Sequence, residues 1–254
     1  MPAKIRLEQC DGVVHVTLCN PKRFNAMSRA MWRDLKVVFE RIQGMASVRC
    51  VLVTGAGAHF CAGGDISEYA SFRFQETSLR EFHEVEVWGA LGAMLACDVP
   101  MVAQIEGNCM GAGVEIASCC DIRLAAQSAR FGAPIARLGF PMAPREAALV
   151  ARETGLATAR QMLLEASVFS ATDMLQRGFL SGVVADADVS AVAQATVGRI
   201  CELAPQAARL NKQTLRALVP EPPSSLLATA YDYADSAEQR EGISAFLEKR
   251  PPMF

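Results

Sequence analysis

The stretch PMVAQIEGNCMGAGVE, residues 100–115, runs in order through a strand, a glycine-rich turn and the start of a helix. The apolar run at residues 101–105 predicts a buried strand, and Gly107, Gly111 and Gly113 allow the tight turn that follows. Upstream, the buried strand at residues 51–53 enters a small-residue turn at residues 55–57. This alternation of strands and helices predicts an α/β fold with parallel strand pairs and right-handed crossovers.

Local signals predict further elements on both sides of this stretch. Alternating apolar residues after an Asp11-Gly12 turn predict an N-terminal β-hairpin. Ser28 and Gly44 predict the start and the end of a helix, because the apolar residues between them recur every three or four positions. The same spacing predicts another helix that buries the apolar residues Phe82, Val85, Trp88, Leu91 and Leu95.

The strand signal disappears near Val189, and helical stretches broken at Pro205 and at residues 220–223 follow. The sequence therefore predicts two units, a strand-containing core at residues 1–188 and an all-helical module at residues 189–254.

Composition and charge exclude several classes of protein. The chain has 254 residues, of which 51% are hydrophobic, and a formal net charge of −2, which is typical of a globular protein. Without a basic stripe, nucleic acid and membrane surfaces are not expected partners. The nine cysteines form no C-x-x-C pair, so we expect free thiols and no metal site. We find no signal peptide and no membrane span, and we therefore expect a cytoplasmic protein.

Two glycine-rich turns, at residues 60–66 and 107–115, are the candidate sites of chemistry. Each presents backbone N–H groups beside small residues, and a helix that starts there adds unpaired donors. Two such turns in contact would form an oxyanion hole. Neither turn has the spacing of a Walker A loop or a dinucleotide fingerprint.

Glu115 lies one turn into an apolar helix, where burial would raise the pKa of its carboxyl and suit it to proton transfer. A carboxylate that interacts with the helix dipole is the alternative interpretation.

Four motifs together resemble the crotonase (enoyl-CoA hydratase/isomerase) superfamily. They are residues 21–27 (PKRFNAM), 60–66 (FCAGGDI), 111–122 (GAGVEIASCCDI) and 241–250 (EGISAFLEKR). The resemblance implies a spiral of ββα units followed by a C-terminal helical trimerisation module, assembled as a homo-trimer or a dimer of trimers. It also implies a coenzyme A thioester as substrate, with no separate cofactor.

The resemblance assigns roles to individual residues. The oxyanion donors map onto the N–H groups of Gly64 and Ala112, and Glu115 maps onto the first catalytic glutamate of the hydratases. Positions that match substrate-contacting residues of the family are Lys22, Phe24, Ala26, Ala62, Asp65, Ile66, Gly111, Ile135, Phe140 and Lys249.

One position departs from the hydratase pattern. Ile135 stands where hydratases carry their second catalytic glutamate, and residues 138–146 replace a glycine-rich stretch. Glu146, in the first turn of a helix that Pro144 would start, is a candidate second acid, although an exposed glutamate is the favoured interpretation. His15 and His83 are expected on polar surfaces, without a catalytic role.

The favoured function is reversible hydration of a 2-enoyl-CoA with Glu115 as acid and base. The alternatives are double-bond isomerisation by Glu115 alone and a catalytically impaired protein that binds CoA thioesters.

Overall fold

The computed structural model describes residues 3–218 and the single residues 237, 241, 248, 250 and 253. Lys249 and most of the motif at residues 241–250 lie outside the described residues. The structure therefore does not test the roles that the sequence predicts for them.

The strands are β1 (Lys4–Cys10), β2 (Val13–Cys19), β3 (Cys50–Gly55), β4 (Met101–Ile105), β5 (Asn108–Met110), β6 (Ile122–Ala126), β7 (Arg130–Gly132), β8 (Val168–Ser170) and β9 (Gly182–Val184). The α-helices are α1 (Arg29–Gln43), α2 (Glu76–Glu81), α3 (Trp88–Ala96), α4 (Ala112–Ser118), α5 (Pro144–Thr154), α6 (Leu156–Leu164), α7 (Ala171–Gln176), α8 (Val189–Cys201) and α9 (Pro205–Ala217).

The strands form two sheets. The six-stranded sheet has the order β1-β2-β3-β4-β6-β9, and the three-stranded sheet has the order β5-β7-β8. From β2 to β9 all neighbours in the larger sheet are parallel, as the alternation of strands and helices predicts. The units β4-β5-α4 and β6-β7-α5 each give one strand to the larger sheet, one to the smaller sheet and then a helix. This repeat is the ββα spiral.

The N-terminal elements follow their local sequence signals. β1 and β2 form the predicted antiparallel hairpin, and both turn residues have positive φ, Asp11 at 46° and Gly12 at 79°. Two successive positive φ values characterise the hairpin turn whose twist matches that of the strands. Helix α1 begins after Ser28, whose hydroxyl accepts a hydrogen bond from the Met31 N–H, and it ends at Gly44. The hairpin and this helix are confirmed.

The predicted buried face of the helix at residues 82–95 needs a correction. A π-helical turn, Phe82–Val87, separates α2 from α3. Each π turn holds more residues than an α turn, so the face that points inward changes along the helix. Val85 is therefore 57% exposed, whereas Glu86 and Val87 are buried. The Glu86 carboxylate accepts hydrogen bonds from the Arg29 guanidinium at 2.8 and 2.9 Å.

Helices α8 and α9 follow β9 and make up the described part of the predicted C-terminal module up to residue 218. Helix α8 buries Ala193 and Val197 against Leu52, Val102 and Leu124 of the larger sheet. Helix α9 is attached by polar contacts that include those of the Lys212 ammonium, which donates to the Val99 carbonyl at 2.9 Å and pairs with Asp121 at 2.8 Å.

The helices in the described part of the chain include none with the length and apolar character needed to cross a membrane.

Candidate active site

The first glycine-rich turn is held by the segment that precedes α1. The Ala62 N–H donates to the Phe24 carbonyl at 3.0 Å, the Met27 N–H donates to Gly63 at 2.8 Å, and the Asp65 N–H donates to Met27 at 2.8 Å. Gly63 has φ +113°, a conformation that L side chains rarely adopt. This ladder positions the backbone N–H of Gly64, the predicted oxyanion donor.

The second turn is joined directly to the first. The Cys61 N–H donates to the Asn108 carbonyl at 2.9 Å, and the Met110 N–H donates to the Cys61 carbonyl at 2.8 Å. Gly113 allows helix α4 to approach this contact, because a Cβ at Gly113 would lie 2.7 Å from the Cys61 oxygen. The two predicted turns are therefore in contact, as an oxyanion hole requires.

Both predicted oxyanion donors have free N–H groups. Ala112 is the first residue of α4, after Gly111 with φ +47°, so its N–H has no partner within the helix. In the part of the chain that the structure describes, neither Gly64 nor Ala112 donates its backbone N–H to another protein group. Both residues line one cavity of about 350 Å³, and their amides are available to a ligand oxygen.

Nine of the residues that the sequence singles out line this cavity: Gly64, Ala112, Glu115, Glu146, Ala62, Ile66, Gly111, Ile135 and Phe140. Four others lie outside it. Lys22 and Phe24 are exposed on the surface, and Ala26 is buried in the segment that holds the first turn. The Asp65 carboxylate caps the 3₁₀ helix Ile66–Ser71 by accepting from the Ser67 N–H at 3.1 Å. Asp65 thus stabilises the turn in this structure and does not line the cavity.

Glu115 is buried in the first turn of α4 and lines the cavity. Burial raises the pKa of its carboxyl well above the usual 4.5, and the nearby negative charge of Glu146 raises it further. Glu115 therefore holds its proton more strongly than an exposed glutamate does, as expected if its apolar helix were buried.

Glu146 is not exposed, contrary to the favoured interpretation of the sequence. It is only 4% exposed, lies in the first turn of α5, and lines the same cavity as Glu115. Helix α5 packs against α4, and Glu146 in the first turn of α5 faces the cavity that Glu115 also lines. The Glu146 carboxylate lies 2.8 Å from Nδ1 of His83.

His83 also departs from its prediction. The charged sequence around it predicts a polar surface, but the residue does not lie on one. It occupies the π-helical turn, where the added residue per turn directs its ring into the cavity. Its Nε2 lies 3.1 Å from Nη2 of Arg73, another cavity residue that the sequence analysis did not select. No local sequence signal marks a π turn in advance, and for this reason the position of His83 was predicted wrongly. Arg73 lies outside that turn, between Ser71 and the start of α2, where no motif marks it.

Tyr69 is a further cavity residue that the sequence analysis missed. Its hydroxyl lies beside Gly64, where it would overlap a Cβ. Burial raises the pKa of Tyr69 to about 12, so the phenol keeps its proton at neutral pH. The hydroxyl is a third potential donor beside the two backbone amides.

The cysteines do not suggest thiol or metal chemistry. Cys61, in the first turn, is fully buried, and burial raises the pKa of its thiol to about 12. A thiol of this kind is a poor nucleophile. Among the residues that the structure describes, no three His, Cys, Asp or Glu side chains form a cluster that could hold a metal ion.

The comparisons with known proteins agree with this geometry. The family model described as enoyl-CoA hydratase/isomerase matches residues 8–254. A probable enoyl-CoA hydratase of Rhodobacter capsulatus is 32% identical, over 98% of this chain and 97% of that protein. The crotonyl-CoA hydratase of Syntrophomonas wolfei is 29% identical over 98% and 97%.

Solved structures give the same result. The crystal structure of an enoyl-CoA hydratase/carnithine racemase from Magnetospirillum magneticum superimposes with a TM-score of 0.95 at 36% identity, over all of this chain and 96% of that one. The structure of Pseudomonas aeruginosa AtuE gives a TM-score of 0.91 at 33% identity, over 98% of both chains. The α/β fold is therefore the crotonase fold, and the chain belongs to the enoyl-CoA hydratase/isomerase family.

Proposed function

We propose that this protein catalyses the reversible hydration of a 2-enoyl-CoA. The family is enzymatic and acts on acyl-CoA substrates. In the proposed complex the thioester oxygen accepts hydrogen bonds from the N–H groups of Gly64 and Ala112. These donors stabilise the enolate-like charge that develops on that oxygen during water addition.

One observation carries the proposal: Glu146 lines the same cavity as Glu115. Hydration needs a base that takes a proton from water and an acid that delivers a proton to the α-carbon. Ile135 removes the carboxyl group from the position where hydratases have it. Glu146, in the first turn of the next helix, α5, supplies a second carboxyl group to the cavity.

The environments of the two carboxyl groups suggest different roles. Glu115, with its raised pKa, is the proton donor to the α-carbon. Glu146 is the base that takes a proton from water as the oxygen bonds to the β-carbon. After one addition Glu115 is ionised and Glu146 is protonated, and transfer of one proton from Glu146 to Glu115 restores the starting state. In the reverse reaction the two carboxyl groups exchange roles: Glu115 takes the proton from the α-carbon, and Glu146 gives a proton to the departing water.

The test compares wild type with Glu115→Gln and Glu146→Gln, using a short 2-enoyl-CoA in heavy water and mass spectrometry. We expect wild type to add water and each variant to lose at least about 100-fold in rate, the usual contribution of a general acid or base. Glu40→Gln is the matched control, because Glu40 is an exposed glutamate of α1 that pairs with Lys36 and does not line the cavity. This control should keep wild-type activity.

Ile135 favours one alternative, double-bond isomerisation by Glu115 alone. Deuterium that enters the acyl chain without water addition, in wild type and Glu146→Gln equally, would establish the isomerase. Unchanged thioester with retained CoA affinity would instead indicate a binding protein.

The proposal includes expectations about the cell and the assembly. Coenzyme A enters as part of the substrate, so no separate cofactor is required. We also propose that the protein is cytoplasmic. We propose in addition that it forms a homo-trimer or a dimer of trimers, and sedimentation of the purified protein would test this assembly.

A further inference from the structure

Three side chains form a continuous hydrogen-bonded row along one wall of the cavity. Nη2 of Arg73 lies 3.1 Å from Nε2 of His83, and Nδ1 of His83 lies 2.8 Å from a carboxylate oxygen of Glu146. All three residues line the cavity that holds Glu115. The proposed hydration assigns a role only to the last member of this row.

The chemistry of arginine determines the direction of both hydrogen bonds. A guanidinium group only donates, so Nε2 of His83 must be the acceptor. Nε2 then carries no hydrogen, and the ring hydrogen lies on Nδ1. This N–H donates to Glu146, whose carboxylate is the acceptor.

Packing restrains the row. The Arg73 guanidinium lies 4.4 Å from the centre of the Tyr69 ring and 3.8 Å from the centre of the Phe140 ring. Nε and Nη1 of Arg73 are buried and have no acceptor within the described residues. The two ring contacts therefore fix the position of the Arg73 guanidinium group. The guanidinium group in turn restrains the His83 ring through their hydrogen bond, and the His83 ring contacts Glu146.

His83 is also the one side-chain donor to the Glu146 carboxylate in the described part of the chain. The other charged or titratable groups that line the cavity are Glu115, Tyr69, Arg73 and Arg137, and the Glu84–Arg145 pair lies at the surface. A carboxylate that is only 4% exposed is unfavourable without a donor. Loss of the His83 N–H would therefore leave the buried Glu146 carboxylate misplaced and without a side-chain hydrogen-bond donor.

We propose that His83 and Arg73 are positioning residues that hold the Glu146 carboxylate in the orientation of the base, with Arg73 selecting the His83 tautomer. This inference rests on the proposed hydration and assigns Glu146 rather than Glu115 as the base. His83 and Arg73 act through Glu146 and do not contact the reacting atoms.

The first test replaces His83 in ways that keep or remove its N–H. His83→Asn puts an amide N–H near the position of Nδ1, whereas His83→Leu removes the donor. We expect His83→Leu to lower kcat about 100-fold, the usual cost of a misplaced catalytic group, with KM for the 2-enoyl-CoA within about threefold of wild type. His83→Asn should recover most of that loss. His15→Leu, a histidine of β2 outside the cavity, is the matched control and should match wild type.

The second test does not depend on activity. The ¹⁵N chemical shifts of the His83 ring in the intact protein report which nitrogen carries the hydrogen. We expect the Nδ1–H tautomer in wild type and a mixture of tautomers in Arg73→Met. An Nε2–H tautomer in wild type would overturn the proposal, whether or not His83→Leu folds.

The outcomes separate this inference from the proposed function. If wild type hydrates, Glu146→Gln is inactive and His83→Leu keeps its kcat, the positioning role is wrong and the hydratase assignment stands. If wild type hydrates no 2-enoyl-CoA, the function is wrong, and the tautomer measurement still decides whether Arg73 orients His83.

Discussion

Replacing Ala112 with proline should remove one oxyanion donor while leaving the fold intact. Ala112 is the first residue of α4, and its N–H donates to no other group in the described structure. Proline lacks the N–H and favours the first position of a helix, so the substitution removes no internal hydrogen bond. Gly111 precedes it with φ +47° and ψ −109°, outside the helical region that proline disfavours in the residue before it.

The expected magnitudes differ for folding and for catalysis. Because no hydrogen bond is lost, we expect the free energy of unfolding to change by no more than about 1 kcal/mol, well below the roughly 3 kcal/mol cost of proline inside a helix. Removal of one oxyanion donor costs about 100- to 1,000-fold in kcat, or about 2.7–4 kcal/mol of transition-state stabilisation. The proline ring also occupies the space of the amide hydrogen, so we expect the upper part of that range.

The assay follows the ultraviolet absorbance of the enoyl thioester, with urea denaturation in parallel. Leu156→Pro is the matched control, because Leu156 is the exposed first residue of α6 and also follows a glycine with positive φ, Gly155 at 81°. The control should keep both activity and stability. Wild-type activity in Ala112→Pro would refute the oxyanion assignment, and an unfolded Ala112→Pro beside a folded Leu156→Pro would refute the argument about the helix terminus.

Two further variants test the packing and the electrostatics of the site. Gly113→Ala puts a Cβ 2.7 Å from the Cys61 oxygen, so the two turns must separate. We expect urea denaturation to show a loss of about 1–3 kcal/mol in the free energy of unfolding, and we expect activity to fall with it. Glu115→Gln should become more stable relative to wild type as pH rises. The pKa of Glu115 is raised in the folded state, so the unfolded state ionises first and wild type loses stability above about pH 4.5. Denaturation midpoints of both proteins at several pH values measure this, and parallel pH curves would contradict the raised pKa of Glu115.

Elements with strong local signals were predictable from the sequence. The hairpin depends on two turn residues with positive φ, and helix α1 depends on Ser28 at its start and Gly44 at its end. These preferences act within a few residues, so neighbouring sequence is sufficient to identify them. The contact between the two glycine-rich turns was a hypothesis from the family resemblance, and the Cys61 hydrogen bonds show the packing that it requires.

The missed side chains depend on contacts between distant parts of the chain. His83 and Glu146 are 63 positions apart, and they meet because α5 packs on α4 while a π turn redirects His83. The charged neighbours of His83 do indicate an exposed helix face in a regular α-helix. The altered helical period made that interpretation wrong. Glu146 likewise has the sequence context of an exposed residue at a helix start, and only its packing partners make it buried.

Three features follow from the amino-acid sequence alone: the alternation of strands and helices, the two turns with small residues, and an acid in an apolar helix at Glu115. Each of these follows from backbone preference or hydrophobic pattern over a short segment. The meeting of Glu146 and Glu115 in one cavity, and the contacts that join Arg73, His83 and Glu146, depend on the folded chain. Burial and hydrogen-bond partners are set by the distant groups that the fold brings into contact, and a local pattern does not contain that information.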